Sequence, residues 1–375
     1  MNLHLITIVL TAALLSPFWS SGSSHADDAD DFRPGRDSFY VSDFGYPPPP
    51  PPVGTVSKFR ASNGDFQKVL ITGMLPHPVT PNGIVVNPVS PPELVVAFQN
   101  ANTVFNGEIL VFDKATGAFK SPALVRDTDQ GAPCAPFGIL LHKNLLLVAD
   151  EGGCPGAGAV AAFDATTTPA KFVQNLDTTG YSNSFFHPFG MVIGPDGRLY
   201  VANRPLPGAV GIGDVVRFNL HTKKFLDVFV SGAGCGCNLD HPSGVVFGPD
   251  GRLYVTSSRP AGSNVPSNDT DKVLIFDGTT GAFVDKIDLD RPGGQRSAAP
   301  GLLFGPQGLL YVTIAQLTDS GDPTGVGSVR RYNVASKLFK DIVPPNTTLQ
   351  LPTLFTFGGT NPATLAYERD RDRDR

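Results

Sequence analysis

Two stretches, HPFGMVIGPDGRLYV at His187–Val201 and HPSGVVFGPDGRLYV at His241–Val255, are near-identical and decide the fold. Each sets the turn signal Pro-Asp-Gly between two apolar runs. Proline presets φ and glycine accepts positive φ, so the chain reverses and the runs pair as a β-hairpin. Neither run alternates polar and apolar residues, as strands buried on both faces do not. A third copy, PGLLFGPQGLLYV, spans Pro300–Val312, and weaker copies open at Pro81 and Pro136.

A second hairpin accompanies each copy. Segments ending at Phe59, Phe112, Phe163, Phe218, Phe276 and Tyr332 share one pattern, with spacings of 53, 51, 55, 58 and 56 residues. Each leads to a second aromatic, Phe66, Phe119, Phe172, Phe225, Phe283 or Phe339, seven residues on in five copies and nine in the third. Turn sequences such as DKATGAF and DGTTGAF join the pairs, and strand, fixed-length turn, strand is a hairpin. The unit is four strands, A to D, in about 55 residues, the size of a propeller blade. A parallel β-helix, the rival for apolar repeats, uses much shorter coils.

The ends predict ring closure. The first copy begins at strand B, Ser38–Asp43 (SFYVSD), and lacks strand A; Leu351–Gly358 (LPTLFTFG) aligns with strand A of the other copies. One blade built from both ends removes the free edges that make open sheets a liability. The expectation is an all-β, six-bladed β-propeller over residues 37–367, closed by pairing N- and C-terminal strands. Residues 368–375 (ERDRDRDR) have no apolar face and are expected to be disordered.

The remaining composition bounds the setting. Charged residues are 17% of the 375, the net charge is −5, and no Lys/Arg cluster marks a nucleic-acid footprint. Leu5–Leu15 (LITIVLTAALL) is too short to span a membrane, and Ser24-His25-Ala26 offers a small-x-small cleavage site. Residues 1–26 are therefore expected to be a secretory signal and 27–36 a flexible lead-in, giving a secreted or periplasmic monomer with no membrane span after cleavage.

The Pro-x-Gly, Pro-Asp-Gly-x-Leu-Tyr-Val and Phe-Asp pattern resembles NHL-repeat propellers. It also resembles the wider six-bladed group of regucalcin/gluconolactonase-like and streptogramin-lyase-like proteins. The resemblance covers residues 37–367 and speaks to fold more than activity. In gluconolactonase-like propellers it implies metal-binding Asn or Asp just before the glycine of strand A. Here those positions hold Asn82, Phe137, Phe189, Ser243 and Pro300, of which Asn82 alone fits. Amidating-lyase-like propellers place zinc-binding His at similar positions, whereas His187 and His241 sit two residues earlier.

Within a blade, the short A–B and C–D turns share one face, and the long, dissimilar B–C and D–A loops share the other. Such a variable face on a repeated scaffold is where binding is expected. The candidates there are Asp43, Asp150, Asn203 and Ser257 at the ends of strand B, with Phe98 and Ile314 at the matching places in blades 2 and 6. Glu151, His187, Arg204, His241 and Arg259 complete the set. The strand-end residues either form a polar cluster at the channel mouth, able to hold a divalent cation such as Ca²⁺, or cap local backbone groups. Two histidines fall short of a usual zinc set. The arginines either clamp a carboxylate or phosphate or stiffen surface turns beside their prolines.

Other motifs carry little. No Gly-x-Ser-x-Gly elbow occurs, and Gly156-Ala-Gly158 precedes a strand rather than a helix. Pro47–Pro52 predicts a polyproline II spacer, and Asn268 and Asn346 open glycosylation sequons. Four cysteines allow three pairings. Cys134 precedes strand A of blade 3 and Cys154 follows strand B, within one residue of register across a hairpin turning at Lys143–Asn144. That predicts a Cys134–Cys154 disulfide, worth about 3 kcal/mol if unstrained. Cys235 and Cys237 then remain as a bridge or as thiols, with a four-thiolate zinc site as the rival. The functional expectation is an exported propeller binding a protein, glycan or small ligand through its variable face. The alternative is a metal-dependent, lactonase-like hydrolase or lyase with its site at the channel mouth.

Overall fold

The computed structural model describes residues 37–45, 54–72, 79–100, 106–152, 158–182, 185–205, 213–260, 269–346 and 348–368. The signal, the lead-in, the polyproline run, Gly156, Asn268, Cys154 and all but the first residue of the tail lie outside the described residues. Among the described residues no helix is long and apolar enough to cross a membrane.

Residues 37–368 form six antiparallel sheets. Blades 2 to 5 run in sequence order, with innermost strands Val79–Asn87, Pro136–His142, Pro188–Ile193 and His241–Phe247. Blade 6 splits its inner strand into Arg296–Ala298 and Leu302–Phe304, both paired with Leu310–Leu317. Blade 1 takes its inner strand from the C-terminus: Pro352–Phe357 pairs with Ser38–Asp43, matching Phe39 with Phe357 and Asp43 with Pro352. The inner strands touch their neighbours all the way round the ring. The fold is thus an all-β six-bladed propeller closed by both chain ends, as the repeats predict.

The repeat aromatics mark a constant register. Phe59–Phe66, Phe112–Phe119, Phe163–Phe172, Phe218–Phe225, Phe276–Phe283 and Tyr332–Phe339 are all cross-strand partners of strands C and D. The extra residues of the third copy are absorbed in its longer turn, since Phe163 still faces Phe172. The apolar core is distributed between blades. One seam joins Tyr40 and Val56 of blade 1 to Val96 and Leu110 of blade 2; another joins Val201 and Val216 of blade 4 to Leu147 and Val160 of blade 3. A strand lying between two seams needs apolar residues on both faces, which accounts for the missing alternation.

Two backbone features shape the channel. In blades 2 to 5 the inner strand carries a register shift just after its proline, as between Pro188 and Met191. The glycine in that shift permits close approach of the next blade: a Cβ on Gly190 would sit 2.3 Å from the Ser243 carbonyl oxygen. After the last strand, residues 358–368 cross the face that carries the short turns. Leu141 and Ile193 donate their backbone N–H groups to Pro362 O (3.0 Å) and Ala363 O (3.1 Å). Leu365 packs against four of the apolar seams and lines the small cavity at the channel centre. This plug belongs to no repeat, so the repeat pattern gives no sign of it.

Candidate functional site

The strand-end residues are consumed by local backbone. Asp43 accepts hydrogen bonds from the N–H groups of Gln350 (2.7 Å), Leu351 (2.8 Å) and Gly45 (3.0 Å). Asp150 accepts from Cys134 (2.9 Å), Ala135 (2.8 Å) and Gly152 (3.1 Å). Asn203 Oδ1 accepts from His187 N–H at 2.6 Å, and Ser257 Oγ from Asp240 N–H at 3.0 Å. In each blade the side chain reaches the D–A loop one or two residues before the inner-strand proline, whose register partner it is. The capping role carries the geometry, and burial raises the Asp43 carboxyl even against its three N–H donors. The matching Phe98 and Ile314 are fully buried and apolar.

A different set comes together over blades 3 to 5. Glu151 follows Asp150, His187 precedes the inner strand of blade 4, Arg204 follows its strand B, and His241 opens the inner strand of blade 5. His187 Nε2 lies 4.0 Å from Glu151 Oε2. The Arg204 guanidinium stacks on the Phe189 ring, with Cζ 3.9 Å from its centroid, and Phe189 meets His187 at 5.2 Å and Phe137 at 4.7 Å. Arg204 Nε, His187 Nδ1 and His241 Nδ1 are buried without a hydrogen-bond partner. Arg204 is half-buried.

Electrostatics distinguish this cluster. Burial pushes Glu151 up to about 7, opposed by the Arg204 charge and helped by that of Asp150. Burial pulls Arg204 down to about 10, partly offset by Glu151. Burial and then Arg204 pull His241 down to about 4, and the same two causes lower His187. Four adjacent titratable groups, all shifted by desolvation and by neighbouring charge, single this cluster out as the candidate site.

Arg259 belongs elsewhere. It bonds Asp319 at 2.8 Å and approaches Asp290, while its backbone N–H and carbonyl engage Asp271 and Arg296. Arg296 is 3% exposed and meets Asp271 in a two-pronged pair at 3.1 and 3.0 Å. This buried network contributes field at His241. Sequence reading passes over Arg296, because the inner strand of blade 6 departs from the repeat there. It also sees Phe189 and Phe137 only as unsuitable ligand positions, not as an aromatic floor.

The metal implied by the lactonase resemblance does not fit these residues. Phe137 and Phe189 fill two ligand positions with carbon rings packed at a tilt, Pro300 fills a third without a donor, and Asn82, whose buried Oδ1 has no hydrogen-bond partner among the described residues, is a single ligand short of a set. Among the described residues no three His, Cys, Asp or Glu side chains group as a metal set. Cys235 and Cys237 bridge to each other. Cys134 is disulfide-bonded, and its expected partner Cys154 lies outside the described residues.

No family model matches the chain, and no curated protein matches it in sequence. Solved structures do. The periplasmic gluconolactonase of Pseudomonas aeruginosa superposes with a TM-score of 0.55 at 15% identity, over 86% of this chain and 98% of that one. A Bacteroides caccae protein of unknown function gives 0.54 at 10% identity, over 86% and 98%. A virginiamycin B lyase from Staphylococcus aureus gives 0.48 at 14%, over 85% and 92%. At such identities the likeness is one of fold, and the chain is a six-bladed β-propeller with gluconolactonase among its structural neighbours.

Proposed function

We propose that this chain is an exported ligand-binding propeller that captures a small carboxylate-bearing molecule at its variable face, with Arg204 as the anchor. The observation that carries this is the Arg204 guanidinium itself: largely buried, stacked on Phe189, and with its Nε buried and unpartnered among the described residues. Leaving a buried charged donor unmade is expensive, and a planar fork is suited to a carboxylate. Glu151, raised to about 7, is half protonated near neutrality and leaves much of the Arg204 charge uncompensated. His187 and His241 are neutral there and supply further polar contacts, and Phe137 and Phe189 give an apolar floor. The N-terminal apolar run and cleavage pattern support export.

Calorimetric titration of the protein with glucuronate, galacturonate and gluconate, against the uncharged parent sugars, tests the reading. Binding of an acid but not its parent sugar, lost in Arg204→Ala, is expected. Equal binding of acid and parent, or affinity unchanged in Arg204→Ala, rejects it.

One observation favours a second reading, hydrolysis or elimination at the same mouth: Glu151 titrates near neutrality beside His187, as a general base should. Turnover of a lactone panel that disappears in Glu151→Gln would support it.

A further inference from the structure

The D–A loop of blade 4 carries a feature that ligand capture does not use. Cys235 and Cys237 are disulfide-bonded across the single residue Gly236, with Cα atoms 5.2 Å apart. In the chain-entropy account a disulfide stabilises by closing a loop in the unfolded chain, and the shortest loops gain least. A bridge across one residue is therefore poorly explained as a staple.

The two sulfurs are placed unequally. Cys237 is buried in the seam between blades 4 and 5, with Val230 and Leu239. Cys235 is half-buried among exposed Ala233, Gly234 and Gly236. A Cβ on Gly236 would meet nothing within 4 Å, and one on Gly234 only Ser231 at 3.8 Å. The loop on either side of Cys235 is thus exposed and sterically open. The Cys237 backbone N–H donates to Cys235 Sγ at 3.2 Å. A donor aimed at sulfur favours its thiolate form. One partly exposed, hydrogen-bonded cysteine beside one buried cysteine is an arrangement suited to thiol–disulfide exchange.

We propose that Cys235 and Cys237 form a redox-active pair that oxidises cysteine thiols of exported peptides or proteins. A substrate thiolate attacks Cys235 Sγ; the Cys235–Cys237 bond breaks, a substrate–Cys235 mixed disulfide forms, and Cys237 leaves as thiolate and takes a proton. A second substrate thiolate then attacks the substrate sulfur, forming the substrate disulfide and releasing Cys235 as a thiolate held by the Cys237 N–H. Two electrons pass from substrate to protein. A low-molecular-weight disulfide such as oxidised glutathione restores the bridge and carries the electrons away.

The test uses the full chain in a graded series of glutathione redox buffers, with alkylation and mass spectrometry to read each cysteine. The Cys235–Cys237 bridge is expected to open while the disulfide at Cys134 stays closed and the near-UV circular dichroism is unchanged. Cys237→Ser, which frees Cys235, is expected to form a mixed disulfide with oxidised glutathione at least about tenfold faster than Cys235→Ser, because exposure and thiolate character set the rate. A bridge that opens only when the protein unfolds, or equal rates in the two variants, overturns the proposal.

Discussion

The Arg204 guanidinium carbon stands 3.9 Å from the centre of the Phe189 ring. Both belong to blade 4, on either side of its inner hairpin, so the repeat itself brings them together. The contact holds the cation by its flat face, and among the described residues its Nε is buried without a hydrogen-bond partner. At a desolvated site such stacking is worth up to about 2 kcal/mol. Phe189→Ala is expected to weaken ligand binding by loosening Arg204, with an affinity loss of about tenfold. Titration of the variant with the acid that binds the native protein measures this; an unchanged affinity would show that the ring does not position the arginine.

Glu151 sets the pH dependence of binding. Its carboxyl is raised from 4.5 to about 7. Above that pH it is ionised, offsets Arg204 and repels an anionic ligand; below it is neutral. Affinity for the acid should therefore fall as pH rises from 6 to 8, while the ligand carboxylate stays ionised throughout. Glu151→Gln should flatten the profile. For stability, a carboxyl raised on folding favours the folded state below its unfolded pKa, an advantage lost as pH rises through about 7. His241, lowered to about 4, acts in the opposite sense: its contribution is present above pH 6.5 and is lost as pH falls towards 4.

Asp43 is a structural residue in this account. Asp43→Ala leaves the N–H groups of Gln350, Leu351 and Gly45 without their acceptor at the blade that closes the ring. A loss of about 2–3 kcal/mol is expected, read as a lower melting temperature, with ligand affinity unchanged. A loss of affinity without a loss of stability would return Asp43 to the binding site.

The C-terminus has two separable roles. Truncation after Leu349 removes the inner strand of blade 1 and should give aggregated protein, because the opened ring presents a free edge. Truncation after Gly358 keeps that strand but removes Leu365 and the plug, and should fold cooperatively with a lower melting temperature. Equal behaviour of the two proteins would mean that the plug, not the closing strand, holds the ring.

The fold was legible because its signals are periodic: six aromatic C–D pairs, repeated Pro-Asp-Gly turns, and an N-terminal copy short of the strand that the C-terminus supplies. The site was only half legible. Glu151, His187, Arg204 and His241 stand out as polar residues on the variable face, but so do Asp43, Asp150, Asn203 and Ser257. Sequence alone does not tell a carboxylate that caps an incoming loop from one that faces a ligand, since the answer lies in which N–H groups arrive nearby. Leu365 and Arg296 were out of reach for a different reason. Both act where the chain leaves the repeat, and their partners are fixed only by ring closure.

Chelation tests the metal-dependent hydrolase or lyase that the sequence offered as an alternative. At the strand A glycines three of the five positions, Phe137, Phe189 and Pro300, offer no side-chain oxygen or nitrogen to a metal. Dialysis against EDTA is therefore expected to leave acid binding unchanged. Loss of binding on chelation, restored by Ca²⁺ or Zn²⁺, would favour the metal-dependent hydrolase or lyase.

The central claim is that Arg204 anchors a carboxylate at the variable face. The most direct measurement compares native protein, Arg204→Lys and Arg204→Ala in calorimetric titration with the sugar acids. Native protein should bind one of the acids and not its parent sugar. Arg204→Lys should retain weakened binding, because an ammonium keeps the charge but loses the planar fork, and Arg204→Ala should show none. An acid bound equally by all three proteins would contradict the account.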